Sequence, residues 1–247
     1  MFSKSQIKLI KSLSQKKFRM KEGLFVIEGK KGILELLDSR LKLHSLYTTE
    51  DIFEAPGERS FFISEAELKK ISKLKTPQAA LAVFYIPKQG KPEAKGLQVA
   101  LDEIQDPGNL GTIIRMCDWF GIEQLICSRG TVDCYNPKVV QATMGSIARV
   151  QIHYVDLPEY LAEAKKKLPV YGAFLEGENV YSQPLSAEGI VVMGNEANGI
   201  STEVEKLVNQ KLKIPQFGSS QRTESLNVAT ATAIFLSEFR RRTLTGK

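Results

Sequence analysis

The chain has 247 residues, 43% of them hydrophobic and 25% charged, with 34 lysines and arginines against 28 aspartates and glutamates. This composition excludes a disordered chain and is typical of a soluble globular protein of one large or two modest domains. No apolar run approaches the roughly 18 to 20 residues that a membrane-spanning helix needs, so we expect no membrane partner.

The cysteines and histidines are few and widely spaced. Cys117, Cys127 and Cys134 are odd in number and lack CxxC spacing, and the chain has only two histidines, His44 and His153. The pattern excludes a disulfide framework and argues against a zinc cluster. We therefore predict a cytoplasmic protein that uses no metal.

Positive charge is concentrated in the first part of the chain. Residues 1–92 carry 18 lysines and arginines against 10 acidic residues, whereas residues 93–247 carry 16 against 18. A basic surface of this kind attracts the phosphates of nucleic acids. The same lysines could equally form a solvated face that keeps the protein soluble. Charge alone leaves both interpretations open.

The first 88 residues predict a small α/β domain. Their apolar pattern predicts, in chain order, a helix through Ile7, Ile10 and Leu13, a strand at 24–27, a helix at 29–38, strands at 43–48 and 61–63, a helix capped by Ser64 and a strand at 80–86. Residues 89–96 are rich in proline, glycine and charge, which is typical of a linker. The predicted domains are therefore 1–88 and 97–247.

Strand and helix patterns alternate through the second domain. Strands are predicted at 97–101, 124–127, 150–154, 170–174, 190–193 and 211–214, and helices at about 109–120, 137–148, 157–168, 201–209 and 226–242. Such alternation predicts an α/β fold with a mainly parallel sheet between helices. Ligands of these folds bind at the carboxyl ends of the strands, so three loops at those ends are the candidates for a site.

The first loop runs from Asp102 to Thr112, and its Asp-Pro-Gly-Asn sequence predicts a tight turn in which Asn109 caps the following helix. That helix carries Arg115 among apolar residues. The arginine either has a buried partner or extends to solvent from a surface helix.

The second and third loops are also rich in polar residues. Residues 194–201 hold two glycines around Glu196, although a plain turn explains the glycines as well. The carboxylate of Glu196, with Glu203 and Glu205 in the helix that follows, suits a neutral or cationic ligand better than a phosphate. Residues 215–228 bring Asn227 to the start of a helix of small residues, which fits a symmetric helix contact or a buried core helix. GxGxxG, P-loop and GxSxG motifs are absent.

Taken in order, the three loops resemble the motifs of the SpoU/TrmH family of RNA 2′-O-ribose methyltransferases, in the SPOUT superfamily. The matching stretches are 109–115, 194–199, and 214–215 with 225–228, within residues 97–243. Residues 1–88 resemble, more loosely, the L30e-like domain that binds substrate in many members. The stretch 218–224 is longer than in many members and adds Arg222 as a candidate RNA contact.

The resemblance implies a deep trefoil knot in the C-terminal domain, S-adenosylmethionine as cofactor, and a homodimer with its active site at the subunit interface. It implies a catalytic set made of Asn109, Arg115, Glu196, Ser225 and Asn227. It also implies a cofactor site lined by Met193, Gly194, Asn195, Gly199, Ile214, Gln216 and Leu226. We expect 23S ribosomal RNA as the substrate; the alternatives are a transfer RNA or a non-catalytic RNA-binding protein on the same fold.

Overall fold

The computed structural model describes residues 2–218 and 225–244. They form two compact units, of which the first joins the residues up to Lys88 to Asp133–Arg149 and the second joins Gln89–Val132 to the residues from Val150 onward. Residues 133–149 therefore pack with the N-terminal elements, although the sequence pattern placed them in the C-terminal domain. No described helix is long and apolar enough to cross a membrane.

The first unit contains a four-stranded sheet in the order β1-β4-β2-β3. Strand β4 is antiparallel to β1 and β2, and β3 is parallel to β2. Its elements are α1 (Lys4–Ser12), α2 (Lys16–Glu22), β1 (Leu24–Glu28), α3 (Lys30–Leu37), β2 (Leu43–Thr48), a 3-10 turn (Gly57–Arg59), β3 (Ser60–Phe62), α4 (Glu65–Ile71), β4 (Ala80–Tyr85) and α6 (Pro137–Thr143).

The core of this unit follows the apolar spacing of its helices. Ile10 and Leu13 of the first helix region pack with Leu68 of α4 over one face of the sheet. The helix predicted at 137–148 is shorter than expected. It ends at Thr143 because Met144 and Gly145 both adopt positive φ, and a 3-10 turn follows at Ser146–Ala148.

A buried ion pair holds the inserted segment in the first unit. Arg19 of α2 is only 2% exposed, and its Nε and Nη2 donate to Asp133 Oδ2 at 3.0 and 2.5 Å. Its Nη1 donates to the carbonyl of Leu13 at 2.8 Å. The guanidinium is thus desolvated but fully engaged, which is the condition for burying a charge.

The second unit contains a six-stranded, wholly parallel sheet in the order β10-β8-β9-β5-β6-β7. Its elements are β5 (Leu97–Leu101), α5 (Pro107–Trp119), β6 (Gln124–Ser128), β7 (Gln151–Val155), α7 (Leu157–Ala164), β8 (Val170–Asn179), β9 (Gly189–Met193), α8 (Thr202–Glu205), β10 (Gln210–Lys213) and α9 (Val228–Leu244).

The central strands β5, β6 and β9 are buried along their whole length. Such continuous apolar runs are expected where helices cover both faces of a parallel sheet. The predicted α/β fold with a parallel sheet is confirmed, and all six predicted strands occur within one residue at their starts. The trefoil knot stays a prediction.

The Arg19–Asp133 pair gives a test of this packing. Changing Asp133 to Ala leaves a buried guanidinium without its counter-charge, and we expect a loss of about 3 kcal/mol in the free energy of unfolding, measured by urea denaturation. The control is Lys166→Ala, which breaks an exposed pair with Glu163 and should cost less than about 1 kcal/mol. An equal loss in both variants would contradict the role assigned to Arg19.

Candidate active site

Two of the three candidate loops start side by side because their strands are neighbours. Strands β5 and β9 run parallel, with Leu101 opposite Met193 at their carboxyl ends. The contact continues one residue further, where Asp102 N donates to the carbonyl of Met193 at 2.9 Å. The third loop follows β10, which pairs with β8 and not with β5 or β9. This loop is joined to the first one by a hydrogen bond between the side chains of Asn227 and Asn109.

A chain of hydrogen bonds joins the three loops. Asn109 Nδ2 donates to Glu196 Oε1 at 2.9 Å, and Asn109 Oδ1 accepts a hydrogen bond from Asn227 Nδ2 at 2.8 Å. Asn227 Oδ1 in turn accepts from the backbone N–H groups of Ala229 and Thr230, which caps α9. Three residues from the predicted catalytic set therefore lie together, one from each loop.

The cap of α5 differs from the sequence prediction. Asp106, not Asn109, is the N-cap: its Oδ1 accepts from the backbone N–H of Asn109 at 2.8 Å, and Pro107 occupies the first helical position. Aspartate before a proline at this position is a favourable helix start. Because Asp106 satisfies the backbone, the amide side chain of Asn109 is available to Glu196 and Asn227.

The second loop is a closed turn that requires its glycines. Asn195 and Gly199 exchange two backbone hydrogen bonds, each 2.9 Å long. A Cβ on Gly194 would lie 2.3 Å from the backbone of Gly199, and Gly199 itself has a φ of 69°. The Asn195 side chain accepts from the N–H groups of Ala197 and Asn198. These contacts hold Glu196 at the tip of a rigid turn.

Three residues that the sequence did not single out support these loops. Asp102 is buried, and its Oδ2 accepts from Ser201 N at 2.8 Å, which fixes the start of α8. Glu103 has a φ of 59°, and its carbonyl accepts from Asn195 Nδ2 at 2.6 Å. Gln105 N donates to Glu196 Oε2 at 3.3 Å. Their position directly after a buried strand is the signal that could have identified them.

Arg115 and Ser225 are placed differently from the other predicted catalytic residues. Both side chains are exposed. Within the described part of the chain, the Arg115 side chain makes no hydrogen bond or ion pair, so the geometry does not connect it to Glu196, Asn109 or Asn227. It lies one turn before Trp119, which is 83% exposed on the same helix. Of the two interpretations that the sequence allowed for Arg115, a buried partner or extension to solvent, the structure shows extension to solvent.

The residues expected to line the cofactor site lie at or just after the ends of β9 and β10 and just before α9. Met193 is buried at the end of β9, Ile214 is partly buried, and Gln216 is exposed. Leu226 and Phe217 are large apolar side chains that are 48% and 86% exposed. Leu226 directly precedes Asn227, which Asn109 joins to Glu196, so apolar surface and a carboxylate belong to the same group of loops, an arrangement that suits a ligand with an aromatic ring and a positive charge. Arg222 lies outside the described residues.

The described residues contain no group of three or more histidine, cysteine, aspartate or glutamate side chains that could hold a metal ion. The polar groups gathered at the strand ends are amides and carboxylates that bond to one another. The arrangement is built to position groups rather than to display a single reactive side chain.

Comparisons with known proteins match both units of the chain. The model of the SpoU rRNA Methylase family matches residues 96–237, and that of the MRM3-like substrate binding domain matches residues 4–82. The chain is 31% identical over 242 residues to the 23S rRNA (guanosine(2553)-2'-O)-methyltransferase RlmP of Bacillus subtilis, covering 95% of this chain and 96% of that one.

Solved structures agree with these matches. A TrmH-family protein from Porphyromonas gingivalis superposes with a TM-score of 0.90 at 42% identity, covering 98% of this chain and 99% of that one. An rRNA methyltransferase from Sinorhizobium meliloti, solved with AdoMet bound, gives 0.86 at 30% identity, covering 98% and 96%. Since the family model spans more than half of the chain, and Asn109, Glu196 and Asn227 of the three motifs meet in space, this protein belongs to the SpoU rRNA methylase family.

Proposed function

We propose that this protein transfers a methyl group from S-adenosylmethionine to a ribose 2′-hydroxyl of ribosomal RNA, with 23S RNA as the substrate. The observation that carries the proposal is the Glu196–Asn109–Asn227 hydrogen-bond chain, which unites the three motif loops at the strand ends. The choice of 23S RNA is supported by the relative RlmP, whose length the chain matches almost completely.

The cofactor supplies a methyl group activated by a sulfonium charge, and the exposed apolar residues Leu226 and Phe217 with Ile214 would hold its adenosine part. Glu196 accepts from the amide of Asn109 and from the backbone of the first loop, so its carboxylate is fixed before substrate arrives. Asn109 and Asn227 then orient the ribose, with Ser225 as an exposed hydroxyl nearby in sequence. Alignment of this kind can lower a barrier by about 7–11 kcal/mol.

Arg115 is assigned to substrate binding rather than to proton removal. A guanidinium stays protonated throughout the physiological pH range, so it is a poor base at neutral pH. Its planar fork of donors fits a phosphate. We therefore assign Arg115 to holding the RNA phosphate next to the reacting ribose, with the proton of the 2′-hydroxyl leaving toward that phosphate or to water.

The proposed enzyme is a homodimer, which explains the position of Arg115. Arg115 and the exposed Trp119 lie one turn apart on α5. The carboxyl end of the same helix borders a groove of about 460 Å³ lined by Phe120, Tyr181, Thr230, Ala233, Ile234, Ser237 and Glu238. A second copy seated on this face would cover the indole and bring Arg115 toward a site formed with the partner.

We also propose a cytoplasmic location. All three cysteines fall within the described residues, are buried and form no disulfide. Thiols of this kind are usual in a reducing compartment.

Isothermal titration tests the cofactor assignment. We expect S-adenosylmethionine and S-adenosylhomocysteine each to bind at one site per subunit, and Leu226→Asp to weaken both because it replaces an apolar contact proposed for the adenosine part with a charged group. Absence of binding, both alone and with rRNA present, would contradict the methyltransferase assignment and favour a non-catalytic RNA-binding protein.

Methyl transfer from tritiated S-adenosylmethionine to unmodified 23S RNA tests the catalytic residues. Asn227→Ala removes the donor to Asn109 and the cap of α9, and we expect at least about a 100-fold loss of rate, as misplaced groups commonly cause. Arg115→Ala should lose transfer while cofactor binding stays within about twofold, since Arg115 is assigned to the RNA. Unchanged transfer by Arg115→Ala would contradict its role, and transfer to tRNA alone would contradict the substrate.

Light scattering tests the dimer. The wild-type protein should have a mass of about 55 kDa, twice the 27.5 kDa of one chain. Trp119→Arg should give monomers and little methyl transfer, because it places a charge at the centre of the proposed interface. Phe62→Arg, at a residue 65% exposed in the first unit, is the control that should remain dimeric. A monomeric wild type that transfers methyl groups would exclude the interface.

A further inference from the structure

A partly exposed aromatic pair lies at one end of the sheet in the first unit. Tyr85, the last residue of β4, is 43% exposed, and the ring of His44 on β2 meets it edge-on with centroids 5.4 Å apart and planes at 64°. An edge-on pair covers at most one face of one ring. Because Tyr85 is 43% exposed, part of its ring surface remains open to a third aromatic group.

Local backbone geometry holds His44 in this place. In the pairing of β2 with β4, Leu43 is opposite Phe84 and Ser45 is opposite Val83, so His44 is an extra residue in the strand. Such a bulge redirects a side chain and is often found next to functional sites. His44 Nδ1 and Ser45 Oγ share a hydrogen bond 2.9 Å long, which fixes the orientation of the imidazole ring.

Positive side chains flank the pair. Arg59 Nη1 donates to the carbonyl of Leu43 at 2.6 Å, which anchors an exposed guanidinium beside the bulge. Lys42, exposed, directly precedes this bulge. Burial, with the nearby Arg59, lowers the pKa of His44 below its ordinary value of 6.5, so the imidazole is largely uncharged at neutral pH.

We propose that Tyr85 and His44 form an aromatic platform on which an unpaired base of the RNA substrate stacks, with Arg59 and Lys42 at the neighbouring phosphates. The inference rests on the proposed function, because it assumes an RNA substrate. Aromatic rings beside basic residues are the means by which proteins hold single-stranded RNA, since every base has a π face. Paired bases in a duplex are stacked on each other and cannot use the platform.

Affinity for labelled RNA tests the platform in the full-length protein. The probes are an oligouridylate of about 12 nucleotides and an RNA duplex of the same length. Tyr85→Leu removes the ring and should weaken oligouridylate binding about tenfold or more, while duplex binding stays within about twofold. Tyr85→Phe keeps the ring and should bind as the wild type does. Phe62→Leu, which removes another exposed aromatic residue of the same sheet, is the matched control.

The outcomes separate this inference from the proposed function. Wild-type-like oligouridylate binding by Tyr85→Leu, or equal losses on both probes, would overturn the platform but leave the methyltransferase assignment intact. A wild-type protein that binds cofactor but neither RNA probe nor 23S RNA would overturn the proposed substrate and the platform together. Should Tyr85→Leu fail to fold, photocrosslinking of 5-iodouridine RNA to the wild type replaces it: crosslinks at His44 or Tyr85 support the platform, and crosslinks only elsewhere exclude it.

Discussion

The side-chain amide of Asn109 connects the parts of the chain on which the site depends. An amide both donates and accepts, so it can lie between a carboxylate, which only accepts, and the amide nitrogen of another asparagine. Asn109 uses both capacities, toward Glu196 and Asn227. No residue that only donates or only accepts could make both contacts. A single side chain therefore bonds to both of the other loops, and the first two loops are joined further by hydrogen bonds from Gln105 N and Asn195 Nδ2.

Other elements of the second unit position the residues that Asn109 contacts. The parallel pairing of β5 with β9 brings the first two loops together, and the glycine turn after β9 presents Glu196. Asp106 takes over the capping of α5, which frees Asn109 for the other loops. Because the polar groups bond to each other before any ligand binds, little reorganisation is left for the reaction step, which suits a transfer that depends on alignment.

The first unit differs in chemistry and in construction. It holds most of the excess positive charge of the chain, and its stability draws on a segment, Asp133–Arg149, that arrives from much later in the sequence. The buried Arg19 is satisfied only because Asp133 reaches it. A substrate-binding surface in this unit accordingly depends on residues 133–149 as well as on the first 88 residues.

The sequence by itself determined the strands, most of the helices and the membership of Asn109, Glu196 and Asn227 in one site. Buried parallel strands are continuous apolar runs, so pattern is enough to place the strands and the loops at their carboxyl ends. The choice of Asn109, Glu196 and Asn227 within those loops came from the resemblance to the family's motifs. Only the tertiary structure decided which side chains and strands pair over long distances along the chain. The Arg19–Asp133 pair spans 114 residues and the bulge at His44 depends on pairing with β4, neither of which local periodicity records. The exposed position of Arg115 was likewise undecidable from its apolar neighbours, because helix spacing does not say which face the sheet covers.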